Sequence, residues 1–208
     1  MVVEPATAKT PRTRNRRPGG RSARVRAAVF AAMIEELGAV DYAGLSLESI
    51  ARRAGVHKTT LYRRWGTREA LMLDVLRQRA ADVVPVPDTG SLRGDLAQLA
   101  RAVVANASSP TVEPVVRAVI SELPHNDAVA QAARQFWDER MALDGTIITR
   151  AITRGEVPPN TDARQVIEAV LGPLHLRLLI TGTPADDATI DAAVDLVVSA
   201  VTLTPTAG

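Results

Sequence analysis

Between His57 and Arg68 the chain sets out His57, Lys58, Thr59, Thr60, Tyr62, Arg63, Arg64, Thr67 and Arg68, broken only by Leu61, Trp65 and Gly66. Such cationic and hydroxyl groups do no covalent chemistry unaided. They give positive charge and hydrogen bonds to oxygen acceptors, and a dense set of them suits a phosphate-bearing polyanion. Enzymatic chemistry finds no comparable cluster. His57, His125 and His175 stand in separate segments, there is no cysteine, and neither a Gly-rich phosphate loop nor a His-Glu-x-x-His pair occurs. Asp138-Glu139 and Asp186-Asp187 read as solvated-face and helix-start charges. No catalytic residue, metal or cofactor is expected.

The cluster needs elements to position it, and the surrounding residues spell helices. Ser22 reads as the cap of a first helix with Val25, Val29, Ala32, Met33 and Leu37 at three- and four-residue steps, ended by Gly38. Ser46 caps a second, carrying Leu47, Ile50, Ala51 and Ala54. Gly55 then breaks the chain, a third helix runs from His57 to about Arg64, and Thr67 caps a fourth that continues to about Val84. In this grammar Ala51 lets two helices cross closely, Gly55 supplies a positive φ, Val56 plugs the angle and Leu61 returns to the core. His57, Lys58, Thr59 and Thr60 are left outward at the end of a helix that can enter a major groove.

Charge divides the chain in the same way. Residues 1–80 hold 16 basic and 7 acidic residues, a balance of +9, and residues 81–208 a balance of −7. A polyanion-facing segment is thus joined to a body that faces something else. Residues 1–21, with Arg12, Arg14, Arg16, Arg17 and Arg21 among prolines and glycines, read as a disordered basic arm. Pro85 and Pro87 mark a boundary, giving segments 1–21, 22–84 and 85–208. Beyond it, five segments read as helices: 92–106, 110–123, 127–154, 162–181 and 185–203. Ser109-Pro110 and Thr161 mark two starts, Gly155 marks an end, and Gly172-Pro173 predicts a bend. Aromatic residues are 3% of the chain against 46% hydrophobic overall, so the core is built from small aliphatics that favour close-packed helices. The fold class is all-α, with about nine helices. No apolar run approaches the ~18 residues of a membrane span, and a cytoplasmic protein is expected.

The run from Gly55 to Leu71, Gly-Val-His-Lys-Thr-Thr-Leu-Tyr-Arg-Arg-Trp-Gly-Thr-Arg-Glu-Ala-Leu, resembles the DNA-binding domain of the TetR family of bacterial transcriptional repressors; the likeness extends from about Ser22 to Arg79. His57 stands where that family commonly has a small hydroxyl residue, and Trp65 replaces its usual phenylalanine. Carried onto these positions, the resemblance implies that Lys58 and the Tyr62 hydroxyl meet phosphate oxygens while Thr59 and Thr60 touch base edges. Thr67 with the amides of the fourth helix meets a phosphate, and Arg63, Arg64 and Arg68 add backbone charge. Arg52 and Arg53 read as a solvated face.

One recognition helix reads few base pairs, so the resemblance also implies a homodimer on a pseudo-palindromic double-stranded operator. The last two helices form its interface, with candidate stripes Val166, Ile167, Val170, Leu171, Leu174, Leu178 and Leu179, and Ile190, Val194, Val197 and Val201. In such a repressor the middle helices enclose an effector pocket. Val103, Val119, Ile120, Phe136, Trp137, Met141, Ile147 and His175 are able to line it, implying a small apolar or aromatic effector with few polar anchors. The rival reading is a non-specific architectural DNA binder. The arm yields a test: deleting residues 1–21 should weaken DNA binding and flatten its dependence on salt, read from titrations at several ionic strengths.

Overall fold

A computed structural model describes residues 20–40 and 42–202, which contain helices, turns and irregular segments with no strand. The first four helices are α1 (Gly20–Ala39), α2 (Leu47–Arg53), α3 (Lys58–Arg64) and α4 (Arg68–Val83). Their apolar stripes meet in one core where Met33, Ile50, Leu61 and Leu71 are fully buried, each such side chain contributing roughly 1.5–3 kcal/mol over exposure. Ser46 caps α2 by accepting from the Ser49 amide at 3.0 Å, while the Ser49 hydroxyl accepts from the Ser46 amide. The first start differs from expectation. Residues 20 and 21 already belong to α1, so Ser22 lies within the first turn, and its hydroxyl accepts from Arg64 Nη1 at 3.1 Å. The rest of the expected arm, residues 1–19, lies outside the described residues.

The second group comprises α5 (Leu92–Ala107), α6 (Glu113–Glu122), α7 (Asp127–Asp144), α8 (Thr146–Thr153), α9 (Ala163–His175) and α10 (Asp187–Val201). Helices α5, α8, α9 and α10 enclose a second core around Leu96, Leu99, Ile147, Ile148, Ile167 and Leu174. Between the groups, the link through Pro85 and Pro87 is pinned by Asp95, which accepts from the Thr89 amide at 2.6 Å and hydroxyl at 2.8 Å. Arg140 holds the end of α4 by donating to the Val84 carbonyl while paired with buried Asp144. Burial raises the Asp144 pKa against the pull of that guanidinium.

Several boundaries move for physical reasons. The segment expected as one helix over 127–154 divides at Gly145. A Cβ there would lie 3.0 Å from the Met141 carbonyl oxygen and 3.4 Å from the Ala163 Cβ, so the bare backbone lets the α7–α8 corner seat against α9. Helix α6 begins at Glu113 rather than Pro110, because the Ser109 carbonyl accepts from the Val112 and Glu113 amides in a preceding turn. Asp162, not Thr161, caps α9, accepting from the Gln165 amide at 3.1 Å. Pro173 lies inside α9, where it has no amide hydrogen to donate, and beyond His175 the chain continues as a wider π-helix over Leu176–Thr181.

The stripes expected to face a partner turn largely inward. Val166, Ile167, Val170, Leu171, Leu174, Ile190, Val194 and Val197 are buried in the chain's own second core. Periodicity marks a face to be covered without saying whether the cover is the same chain. The large apolar side chains left outward on these elements are Leu176, Ile180 and Leu196, at 53%, 66% and 74% exposure.

Candidate nucleic-acid interface and cavity

The turn between α2 and α3 is fixed by backbone bonds. Gly55 has φ +64°, its amide donates to the Arg52 carbonyl at 3.2 Å, and the Val56 amide reaches back to Ala51 at 3.0 Å. This paired ending needs a left-handed residue, which glycine adopts without penalty. Val56 and Leu61 pack into the first core on either side of the α3 start. Lys58, Thr59, Tyr62 and Arg63 are thereby exposed and Thr60 half-buried. The His57 side chain makes no capping bond; its Nδ1 lies 3.2 Å from Thr59 Oγ1. Thr67 caps α4 through the Ala70 amide at 3.1 Å and stays exposed.

Not every expected contact residue is free to act. The Tyr62 hydroxyl donates to Glu48 at 2.7 Å, a bond that raises the phenol pKa and lowers that of the carboxyl. To reach a phosphate it must exchange one anionic acceptor for another. Arg64 stacks over Trp65 besides reaching Ser22. Arg68 departs furthest from its expected role. Its guanidinium donates to the Tyr42 and Leu45 carbonyls, both at 2.9 Å, pairs with Glu69, and lies 4.2 Å from the centre of the Tyr42 ring. It holds the α1–α2 loop against the start of α4. Arg53, on the α2 face, pairs with Glu36 at 2.5 Å and depresses that buried carboxyl's pKa.

Asp74 on α4 ties the scaffold together. It accepts from Arg26 of α1 at 2.5 Å and from the indole Nε1 of Trp65 at 2.9 Å. The tryptophan therefore supplies a donor that phenylalanine would lack, while its ring packs near Phe30.

A second feature is a cavity of about 840 Å³ bounded by α4, α5, α6, α7 and α9. Val103, Val119, Ile120, Phe136, Trp137, Met141 and His175 all line it. Ile147, expected with them, does not; it is fully buried in the second core, because α8 turns its apolar face away from the cavity toward α5 and α9. Trp137 stands edge-on to both Phe136 and His175, with ring centres 5.3 and 5.5 Å apart. Burial lowers the His175 pKa, leaving a neutral imidazole at neutral pH. The wall also contains Arg79, Asn106 and Arg134, which the sequence reading missed. A signal existed: Arg79 continues the Met72–Leu76 stripe and Asn106 the Leu99–Val103 stripe, each three residues after the last apolar position.

Comparison with known proteins decides the family. Residues 29–75 match the family described as bacterial regulatory proteins, tetR family, and residues 86–197 match the tetracyclin repressor-like C-terminal domain. This chain belongs to the TetR family. It is 34% identical over 181 residues to the HTH-type transcriptional regulator AqdR of Rhodococcus erythropolis, covering 86% of each chain. It is 33% identical over 175 residues to the DNA-binding transcriptional repressor TetR of Mycobacteroides abscessus, covering 81% of this chain and 89% of that one. Among solved structures, the TetR family transcription regulator SCO0332 superposes with a TM-score of 0.71 at 32% identity, over 86% of this chain and 99% of that one. As a TetR-family member the chain is a DNA-binding transcriptional regulator, and none of its described helices is long and apolar enough to cross a membrane.

The Asp74 junction can be tested directly. Asp74→Ala leaves the Trp65 indole and the Arg26 guanidinium without their acceptor and should lower the unfolding free energy by about 1.5–3 kcal/mol in urea titrations.

Proposed function

We propose that this regulator is a homodimeric, ligand-responsive repressor whose α3 reads a pseudo-palindromic operator. Lys58, Arg63 and Thr67 contact phosphates, Thr59 and Thr60 touch base edges, and Tyr62 joins them after leaving Glu48. Arg68 is left out, since its guanidinium is occupied within the domain. The apolar Leu176, Ile180 and Leu196 at the carboxyl-terminal end supply the surface on which two copies meet.

The observation that carries ligand response is the double membership of α6. Its Val115 is buried in the core of α1–α4, with Ala118 and Val119 packed against the same cluster, while Val116, Val119 and Ile120 line the cavity. A ligand that displaces α6 must therefore disturb the packing behind α1. Release of DNA then follows from preferential binding to a dimer geometry whose recognition helices no longer match the half-site spacing.

Selection from random DNA followed by titration at fixed salt tests this reading. One pseudo-palindrome should be preferred over unrelated duplex by about 10³-fold or more. Lys58→Ala should weaken operator and unrelated DNA alike and reduce the salt slope by about 1. Ile180→Glu with Leu196→Glu should give a monomer by light scattering and abolish the preference. Equal binding of all duplexes by the unmodified protein would favour an architectural role instead.

A further inference from the structure

The cavity wall is unevenly charged. Arg79, Arg134, Arg140 and Arg164 face Asp138, Asp144 and Glu168. All three carboxylates are already paired. Asp144 binds Arg140 at 2.5 and 2.7 Å, and Arg164 binds Asp138 at 2.8 Å and Glu168 at 2.7 Å. Among the described residues, Arg79 and Arg134 are left without a carboxylate. For Arg79 the deficit extends further: its Nε is buried and has no hydrogen-bond partner, and Oδ1 of Asn106 in the same wall is also buried and unmatched. An unpaired N–H of a guanidinium is costly to hold away from water and is best met by a planar anion that takes two of its N–H groups at once.

We propose that the cavity binds an amphipathic organic carboxylate, with its anionic head on Arg79 and its apolar body against Val116, Val119, Ile120, Phe136 and Trp137. The proposal rests on the effector reading of this cavity and narrows its ligand from any apolar molecule to an anionic one. Neutral His175 leaves the charge of the head to the arginines, and the unmatched Asn106 oxygen accepts from a hydroxyl or N–H on the same molecule. Because Arg79 lies on α4, which Thr67 caps at the DNA-facing end, the head pulls on a helix that also belongs to the first domain.

The test uses the full chain and three decyl compounds below micelle-forming concentrations: decanoate, decan-1-ol and decylammonium, each titrated by calorimetry. Decanoate should bind at least about tenfold more tightly than the other two, the range expected of a charge-assisted hydrogen bond. Arg79→Gln should erase that preference while leaving the affinity for decan-1-ol within about twofold, and Arg79→Lys should keep part of it. Asn106→Leu, which removes an acceptor open to the decan-1-ol hydroxyl but not to a carboxylate, should leave decanoate affinity within about twofold and should not lower the decanoate to decan-1-ol ratio. Melting curves of Arg79→Gln should show no loss against the parent, since the guanidinium has no partner to lose. Equal affinity for the three compounds, binding of none of them, or a preference that survives Arg79→Gln overturns the proposal. Operator release, measured in parallel, separates it from the effector reading. Release by decan-1-ol without a head-group preference keeps the effector role and removes the anionic class; Arg79-dependent decanoate binding without release keeps the class and removes the regulation.

Discussion

The first four helices do not close their own core. Val115 of α6 and Val129 of α7 are buried among Met33, Ile50, Leu61 and Leu71, and α1 packs against α6 while α4 packs against α7. Helices as short as α2 and α3, seven residues each, gain their rigidity from packing rather than from propensity, and part of that packing is borrowed from the other half of the chain. Everything that positions α3 is therefore sensitive to where α6 and α7 stand. The same two helices form much of the cavity wall. One set of apolar contacts thus makes the DNA-facing domain rigid and makes that rigidity conditional.

Charge placement follows a second logic. Close to α3, guanidinium groups are divided between holding the scaffold and facing outward. Arg26, Arg53 and Arg68 are engaged with Asp74, Glu36 and the loop carbonyls, whereas Lys58 and Arg63 remain on the exposed face. Exposed ion pairs contribute little to stability, but a partly buried carboxylate such as Asp74, taking donors from two other elements, fixes their relative angle. In the second half, Arg93 and Arg101 of α5 pair with Asp187, Asp191 and Asp195 of α10. Much of the acidic surplus there is used between helices rather than presented to a partner.

The architecture was largely legible because helical spacing and punctuation are local. Gly55, Ser46 and Thr67 each do what their residue type dictates within a few residues of backbone. The helix-turn-helix is legible for the same reason. What the sequence concealed depends on distant partners. The α7–α8 corner at Gly145 seats against Ala163 of α9, Arg68 turns inward onto the Tyr42 and Leu45 carbonyls, and Ile147 belongs to a core on the far side of α8. Apolar stripes on α9 and α10 promised a buried face, and the chain itself covers most of it. Arg79 and Asn106 are the opposite case, since their places on apolar stripes are readable while their polar side chains hide their part in the cavity wall.

The most direct test of the coupling is to occupy the cavity without any ligand. Val116 lines it from α6 without belonging to the core around α3. Operator affinity of Val116→Trp, measured beside the parent with solution mass and melting temperature as controls, reads whether filling the cavity reaches the DNA-binding face. The account predicts at least about a tenfold loss of operator affinity, or 1.4 kcal/mol, in a protein whose mass and melting temperature match the parent's. Unchanged affinity in a folded variant with a filled cavity would contradict it.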